Sequence, residues 1–414
     1  MVKRFLALPA DLRVCTLISF VVALGFGVVG PALPLLAEEF GAGNAAVGAA
    51  ISAFAVVRLA SAVANSRFVQ RFGEPRVLEW GLWLQGATML LAALAPDFTL
   101  LIALRAIGGI GSSAFTIAAM SLVMRLAPPD ARGSAMSTFQ TGFMLGAIAG
   151  PAVGGVLADV DPRFPFVFYG LALFAAAALS RLMFGSQVPE TAATGSEAGG
   201  APTTEPPAPP PVPRGVYVRA LVAALVSGFG IGWLFYGMRN SVIPMFATHE
   251  LGGSGTFVGL AMLGTAAAQV AFVGLFGRWS DARGRRPPMI VAGLTGSVGL
   301  ALLCVPSGQA VFVASMLLLG VAGGGLSAAP ASVLADISGR SPARNVAWFN
   351  MSSDVGAIIG PVAAGAIADA LSFEAAFLLT TLILLAGVAA SVAMRETLVP
   401  ASPDLRSPPS KGTP

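Results

Sequence analysis

Four ionisable side chains of this 414-residue chain stand inside long apolar runs: Arg58, Arg105, Arg239 and Asp354. On a helix buried in lipid each costs about 2.5 to 3.5 kcal/mol at the centre, so such groups are functional candidates by default. A carboxylate in that setting can take up and return a proton, and its attraction for a neighbouring arginine changes as it does. A guanidinium stays charged and presents a planar fork of donors. Polar and aromatic side chains suited to holding an organic ligand lie in the same kind of run: Trp233, Phe235, Tyr236 and Asn240 beside Arg239, then Gln140, Gln269 and Asn350. Three arginines against one aspartate make the interior net positive, which argues against a purely cationic ligand class. A static ion pair or hydrogen-bonded arginine remains the alternative for Arg239, and a static pair or the cap of a helix break the alternative for Asp354.

The same inventory excludes most other chemistry. No nucleophile with a base, no paired carboxylates and no cluster of metal ligands emerges, so neither enzyme activity nor a cofactor is expected. His249 is the only histidine, and Cys15 and Cys304 fall in apolar stretches, which gives neither a metal site nor a disulfide framework. Lys3 and Lys411 are the only lysines, so there is no GxxxxGK phosphate loop. The net charge of +4 comes from scattered basic residues that form no stripe, and no nucleic-acid partner is expected.

The elements that must position these residues follow from composition. Residues of the set AVILMFWYC make up 56%, only 11% are charged, and the mean hydropathy is +0.81; a soluble domain carries about 25% charged residues. The partner of this chain is therefore a lipid bilayer. Apolar runs long enough to span it lie at 14–36, 45–66, 77–95, 99–124, 135–158, 165–184, 216–246, 256–276, 289–305, 309–334, 346–368 and 375–394. They are too long and continuous for a barrel. The predicted fold class is all-α integral membrane, with twelve transmembrane helices in two pseudo-symmetric six-helix bundles. Lys3 and Arg4 precede the first run, but no small-x-small cleavage site closes it, so it is read as a span and not a secretory signal.

With the N-terminus cytoplasmic, all but four of the 24 basic residues fall on one side. The exceptions are Arg163 opposite and the three intramembrane arginines, so the positive-inside rule places both termini in the cytoplasm of a cell-membrane protein. The segment between runs six and seven carries seven prolines from Pro202 to Pro213. It cannot pack a core and reads as a tether. The expected organisation is a bundle at 1–184, a linker at 185–215, a second bundle at 216–396 and a tail at 397–414, with a single chain expected to suffice.

The halves repeat. At a shift of 210 residues, GAIAGPAVGGVLAD from Gly146 to Asp159 aligns with GAIIGPVAAGAIAD from Gly356 to Asp369. Small residues four apart (Gly142, Gly146, Gly150, Gly154 against Ser352, Gly356, Gly360, Ala364) share one helical face, where another backbone can approach closely. Pro151 and Pro361 remove a backbone donor each and are expected to kink their helices. After the second and eighth runs, SRFVQRFGEPRVL from Ser66 faces GRWSDARGRRPPM from Gly277. The second copy keeps Asp281, Gly284, Arg285 and Arg286, a turn whose carboxylate could accept from a helix N-terminus and whose basic groups could meet anionic lipid headgroups. Two duplicated six-helix halves are the architecture of carriers that rock about a central ligand site.

These residues resemble the major facilitator superfamily, in its branch of twelve-span drug:proton antiporters. The likeness runs from Arg13 to Met394. The family's loop signature GxLaDRxGRkxxl is nearly complete from Gly277 to Met289, with Ala282 in place of its first arginine, and weak at Ser66 to Leu78. Its fourth-span signature RxxqGxgaa matches as Arg105, Gly109 and Gly111, with Gly108 where glutamine is usual. Its antiporter signature GxxxGPxxGG is complete in Gly146, Gly150, Pro151, Gly154 and Gly155.

The resemblance implies proton-driven export of small drug-like or amphipathic molecules by alternating access. It also implies that Arg105 is tied to proton movement, and that spans 2 and 11 meet across the halves. Arg58 and Asp354, each about eight residues from the cytoplasmic end of its run, then lie at one depth, roughly 12 Å at 1.5 Å per residue. They are expected to pair in one facing state, with Asp354 the coupling carboxylate. The alternatives are a carrier of one metabolite such as a sugar, organic acid or siderophore, working in either direction, and a non-transporting membrane sensor that would need neither Asp354 nor Arg105.

Overall fold

A computed structural model describes residues 9–127, 132–184, 213–305, 308–337 and 342–397. Most of the proline-rich linker at 185–215 and all but the first residue of the tail at 397–414 lie outside the described residues. All regular structure among those described is helical. The spans are α1 (Ala10–Glu39), α2 (Asn44–Phe72), α3 (Glu74–Ala93), α4 (Phe98–Leu126), α5 (Arg132–Val160), α6 (Phe164–Phe184), α7 (Arg214–His249), α8 (Gly255–Arg283), α9 (Arg286–Leu303), α10 (Gln309–Ile337), α11 (Pro342–Ala370) and α12 (Phe373–Ala393).

Eleven of these described helices are long and apolar enough to cross a membrane. The other, α3, has 20 residues and carries Glu74, Arg76 and Glu79 in its first two turns. It is packed between α4 and α6, and Glu74 and Glu79 pair with Arg125 and Arg181 at 3.4 and 2.9 Å. The outer surface is apolar, with Leu182, Leu94 and Leu371 exposed by 82, 76 and 75%. Such side chains belong against acyl chains, since helices satisfy their own backbone groups there.

The duplication read in the sequence is a duplication of packing. In the first bundle α1 packs on α5, α2 on α4, and α3 on α4 and α6; in the second α7 packs on α11, α8 on α10, and α9 on α10 and α12. Glycines set these distances. A Cβ at Gly150 would stand 2.7 Å from the Gly27 Cα, and one at Gly146 2.8 Å from the Leu24 nitrogen, so the four-spaced glycine face of α5 lies on α1. Gly356 and Gly360 bring α11 equally close to the Trp233 backbone of α7. Gly109 and Gly111, whose spacing imitates a nucleotide-binding loop, bring α4 against α2 and α3 backbone: a Cβ at either would lie 2.6 Å from the Phe54 or the Gly81 carbonyl oxygen. On α10 Gly324 meets α8 backbone in the same way, while Gly323 and Gly325 leave room for the Phe235 and Phe276 rings, and that helix does not break there. Both α5 and α11 run through their prolines.

Span α7 departs from a plain rod. Its α-helix ends at Ile231, a π-helical stretch runs from Gly232 to Gly237, a 3-10 turn covers Met238–Asn240, and α-helix resumes at Val242–His249. Pro244 explains the position of the break. Its ring excludes the carbonyl of the residue four places earlier, Asn240, and it has no N–H to donate. Irregular turns of this kind inside spans are characteristic of functional positions.

Candidate functional site

The face of the molecule that holds Ala10 and Ala393 is called here the terminal face, and its opposite the far face. The bundles meet along α2 with α11 and α5 with α8. At the far face this meeting is tight and two-fold symmetric. Gly48 of α2 abuts the Pro361 carbonyl, and Gly259 of α8 abuts the Pro151 carbonyl; Pro151 and Pro361 are repeat partners. The last aspartates of the repeat complete the seal. Asp369 Oδ1 accepts from the Asn44 backbone N–H at 2.9 Å and from Asn44 Nδ2 at 2.7 Å, and its Oδ2 accepts from the Ala45 N–H at 2.8 Å. Asp159 Oδ2 accepts from the Thr256 N–H at 2.8 Å.

Each carboxylate therefore caps the first turn of a helix in the other bundle, where unpaired N–H groups and the helix dipole favour negative charge. The two caps are not equivalent. Helix α2 starts after Gly43, which offers no side-chain cap, so Asp369 supplies it; α8 already has Ser254, whose hydroxyl accepts from the Phe257 N–H. His249 Nε2 and Glu38 Oε1, 2.8 Å apart, add a third contact between α7 and α1 on this face.

Toward the terminal face the same helices part. Arg58 and Asp354 are both exposed, and Gln140 and Asn350 are exposed as well. Arg58 sits at the middle of α2, 14 residues from each end (58−44 and 72−58), and Asp354 12 residues into α11 (354−342). Both helices continue past their apolar runs into polar residues at the terminal face. Arg58 is the charged group whose field acts on Asp354, yet among the described residues the two form no ion pair within 4.0 Å. The expected direct pair is not made in this state.

Between the bundles, beneath the far-face seal, lies a cavity of about 470 Å³ counting its mouth. Phe26, Gly30 and Leu33 of α1 and Ile51 and Phe54 of α2 give it an apolar wall, with Met89 of α3. Its polar lining is Gln85, Arg105, Tyr169, Tyr236 and Asn240, and no carboxylate is among the lining residues. Gln85 Nε2 donates to the Tyr169 hydroxyl at 2.8 Å. Arg105, seven residues into α4 (105−98) and only 7% exposed, lies over the Phe54 ring at 5.6 Å, and its Nε has no hydrogen-bond acceptor.

Of the sequence candidates for ligand contact, the irregular part of α7 brings Tyr236 and Asn240 to this cavity. Asn240 Nδ2 donates to the Tyr236 carbonyl at 3.2 Å. Arg239 lies beside them, its guanidinium 5.9 Å from the Phe235 ring and its Nε buried without an acceptor. The structure places Trp233 and Phe235 elsewhere, inside the second bundle, because the π-helical turn rotates them away from the seam. Trp233 Nε1 donates to Thr380 Oγ1 at 3.0 Å, and Phe235 fills the space beside Gly323. Trp233→Phe should thus lower the melting stability of the purified protein by about 1 kcal/mol, the worth of one hydrogen bond, with ligand affinity unchanged. Gln269 Nε2 reaches Ser327 Oγ at 3.4 Å, and neither it, Gln140 nor Asn350 lines the cavity. Gln85, Tyr169 and the phenylalanines were not singled out from the sequence, although Gln85 and Tyr169 are polar groups within apolar spans.

At the terminal face the turn from Gly277 to Arg286 is a hub of charge. Arg285 Nε donates to Asp336 Oδ2 at 2.9 Å and Nη2 to Asp336 Oδ1 at 3.3 Å, tying α10 to the turn, and Nη1 also bonds Asp281. The hydrogen-bonded Asp336 carboxylate, above all, holds the guanidinium's affinity for its proton above the ordinary arginine value. The carboxylate at the N-terminus of α9 is Glu396 and not Asp281: it accepts from the Arg285 and Arg286 N–H groups at 2.7 and 3.2 Å. Gly284, at φ +101°, makes the turn that leaves room for it. Gly277 has open space around it.

Comparison with known proteins agrees with this architecture. Residues 15–240 and 225–414 match the family described as Major Facilitator Superfamily. Multidrug resistance protein 1 of Bacillus subtilis (strain 168) is 25% identical over 381 residues, which cover 91% of this chain and 94% of that protein. Multidrug resistance protein 2 of the same organism is 22% identical over 383 residues, 91% and 93% of the two chains. The quinolone resistance protein NorA of Staphylococcus aureus is 26% identical over 151 residues, 36% and 39% of the two. Among solved structures, a bacterial homolog of the human lysosomal transporter Spinster, in an inward-facing and unoccupied conformation, superposes with a TM-score of 0.77 at 16% identity, covering 92% of this chain and 95% of that one. A variant of the nucleoside transporter NupG superposes at 0.66 and 13% identity, covering 93% and 98%. On the family match across both bundles and this shared fold, the chain belongs to the Major Facilitator Superfamily and is a multi-pass membrane transporter of small molecules, not an enzyme.

Proposed function

We propose that the protein exports small drug-like or amphipathic organic molecules across the cytoplasmic membrane in exchange for protons. The observation that carries the reading is a cavity of mixed apolar and polar lining between two symmetric bundles, sealed on one face by Asp159 and Asp369 and flanked on the open side by Arg58 and Asp354. The full-length likeness to two multidrug resistance proteins supports export of drug-like compounds. The excess of basic residues supports a cytoplasmic terminal face, and in that orientation the cavity opens inward.

In this reading a water-exposed Asp354 releases its proton to the cytoplasm. The ionised carboxylate attracts Arg58, draws the terminal halves of α2 and α11 together, and favours the outward-facing state with its ligand. A proton from outside then neutralises Asp354, the attraction lapses, and the empty carrier returns. The coupling resides in the differential contact that one protonation state makes in one conformation. Proteoliposomes with an imposed pH gradient, screened against dyes and antibiotics, test it. Asp354→Asn should abolish uphill transport while leaving downhill ligand exchange, and proton-driven uptake by that variant at the wild-type rate would refute the assignment.

A further inference from the structure

The cavity contains a charge that the protein does not balance. Arg105 is nine-tenths buried, lines the cavity and has an Nε with no acceptor. Around it stand an aromatic ring, Phe54, and the Tyr169 phenol, and it has no ion-pair partner within 4.0 Å among the described residues. Arg239, whose Nε is also buried without an acceptor, stands next in sequence to Asn240 on the opposite wall. A buried ion left without a partner is strongly destabilising, and an arginine cannot escape by losing its proton. Around Arg105 the walls are Phe26, Leu33, Ile51, Phe54 and Met89, which desolvate the guanidinium and suit a hydrocarbon body.

We propose that the counter-ion is the transported molecule, and that this cavity selects amphipathic organic anions: a lipophilic body bearing one carboxylate. The carboxylate lies on the Arg105 fork in bidentate geometry, within reach of the Tyr236 and Asn240 polar groups, and the body lies among the aromatic and aliphatic side chains of α1 and α2. A cation of the same shape meets an uncompensated like charge in a low-dielectric pocket, which is how a site rejects the wrong partner. The inference rests on the transport reading of the cavity but concerns its selectivity alone.

The test is equilibrium binding to the full chain in nanodiscs at fixed pH with no gradient, with protein-free nanodiscs subtracted, using three probes on one skeleton: 2-naphthylacetate, its amide, and 2-(2-naphthyl)ethylammonium. The carboxylate is expected to bind at least tenfold more tightly than either analogue. Arg105→Gln should lower the carboxylate's affinity at least tenfold and remove that preference, and Arg105→Lys, which keeps charge but loses the fork, should retain part of it. Equal or tighter binding of the ammonium, unaltered carboxylate affinity in Arg105→Gln, or no saturable binding of any probe would overturn the proposal. Because no gradient is involved, a failure here with intact proton-driven transport removes the ligand class only, whereas anion binding without such transport removes the coupling reading only.

Discussion

Asp369→Asn should open the far face. The substitution keeps the size of the side chain but removes the charge and the second acceptor oxygen, so the Asn44 and Ala45 N–H groups lose their shared carboxylate. Loss of a helix cap costs about 1 kcal/mol and loss of the charge on the helix dipole roughly a further 0.3 to 1. Together these shift the closed-to-open ratio by roughly 10- to 30-fold. Asp159→Asn should shift it less, since Ser254 still caps α8, and the double variant should exceed either. Spin labels at Leu94 and Leu371, both exposed at this face in opposite bundles, read the outcome as a longer-distance population in pulsed dipolar spectra. A distribution in Asp369→Asn that overlays the wild type would show that the cap does not hold the face closed.

The second large effect is expected at the glycines under those caps. Gly48→Ala and Gly259→Ala each drive a methyl group into a proline carbonyl of the opposite bundle, where backbone and not a flexible side-chain end is the obstacle. Neither helix can yield without widening the whole seam, so the state closed at the far face loses its seal and the cycle stalls. Transport should fall by more than tenfold with the fold and membrane insertion intact. Gly277→Ala, at a signature position with nothing within 4 Å, is the control and should transport normally. Wild-type rates in both seam variants would mean that the bundles do not close as described.

Much of this was legible in the chain because lipid imposes simple rules. Length and apolarity gave the spans, and the 210-residue echo gave the two bundles, since each copy of the glycine face must find a partner helix. The sequence also pointed at the seam helices α5 and α11 and, through Arg105, Tyr236 and Asn240, at part of the cavity wall. What it did not disclose depends on rotation about a helix axis. Around one π-helical turn Tyr236 meets the cavity while Trp233 and Phe235 face inward, and no hydrophobic periodicity announces such a turn. Nor did hydropathy reveal that α2 and α11 extend beyond their apolar runs, since the added turns are polar. The partner of the α9 N-terminus, Glu396, is remote in sequence, and no local spacing announces it.

The crossed aspartate caps have one more implication. Each half contributes a carboxylate and receives one, so the contact has the isologous pattern that two copies of a single six-helix protein would make around a dyad. A chain severed in the linker, with its halves co-produced, has the complementary surfaces needed to reassemble. The three donors on Asp369 against the one on Asp159 record how far the twins have since drifted apart.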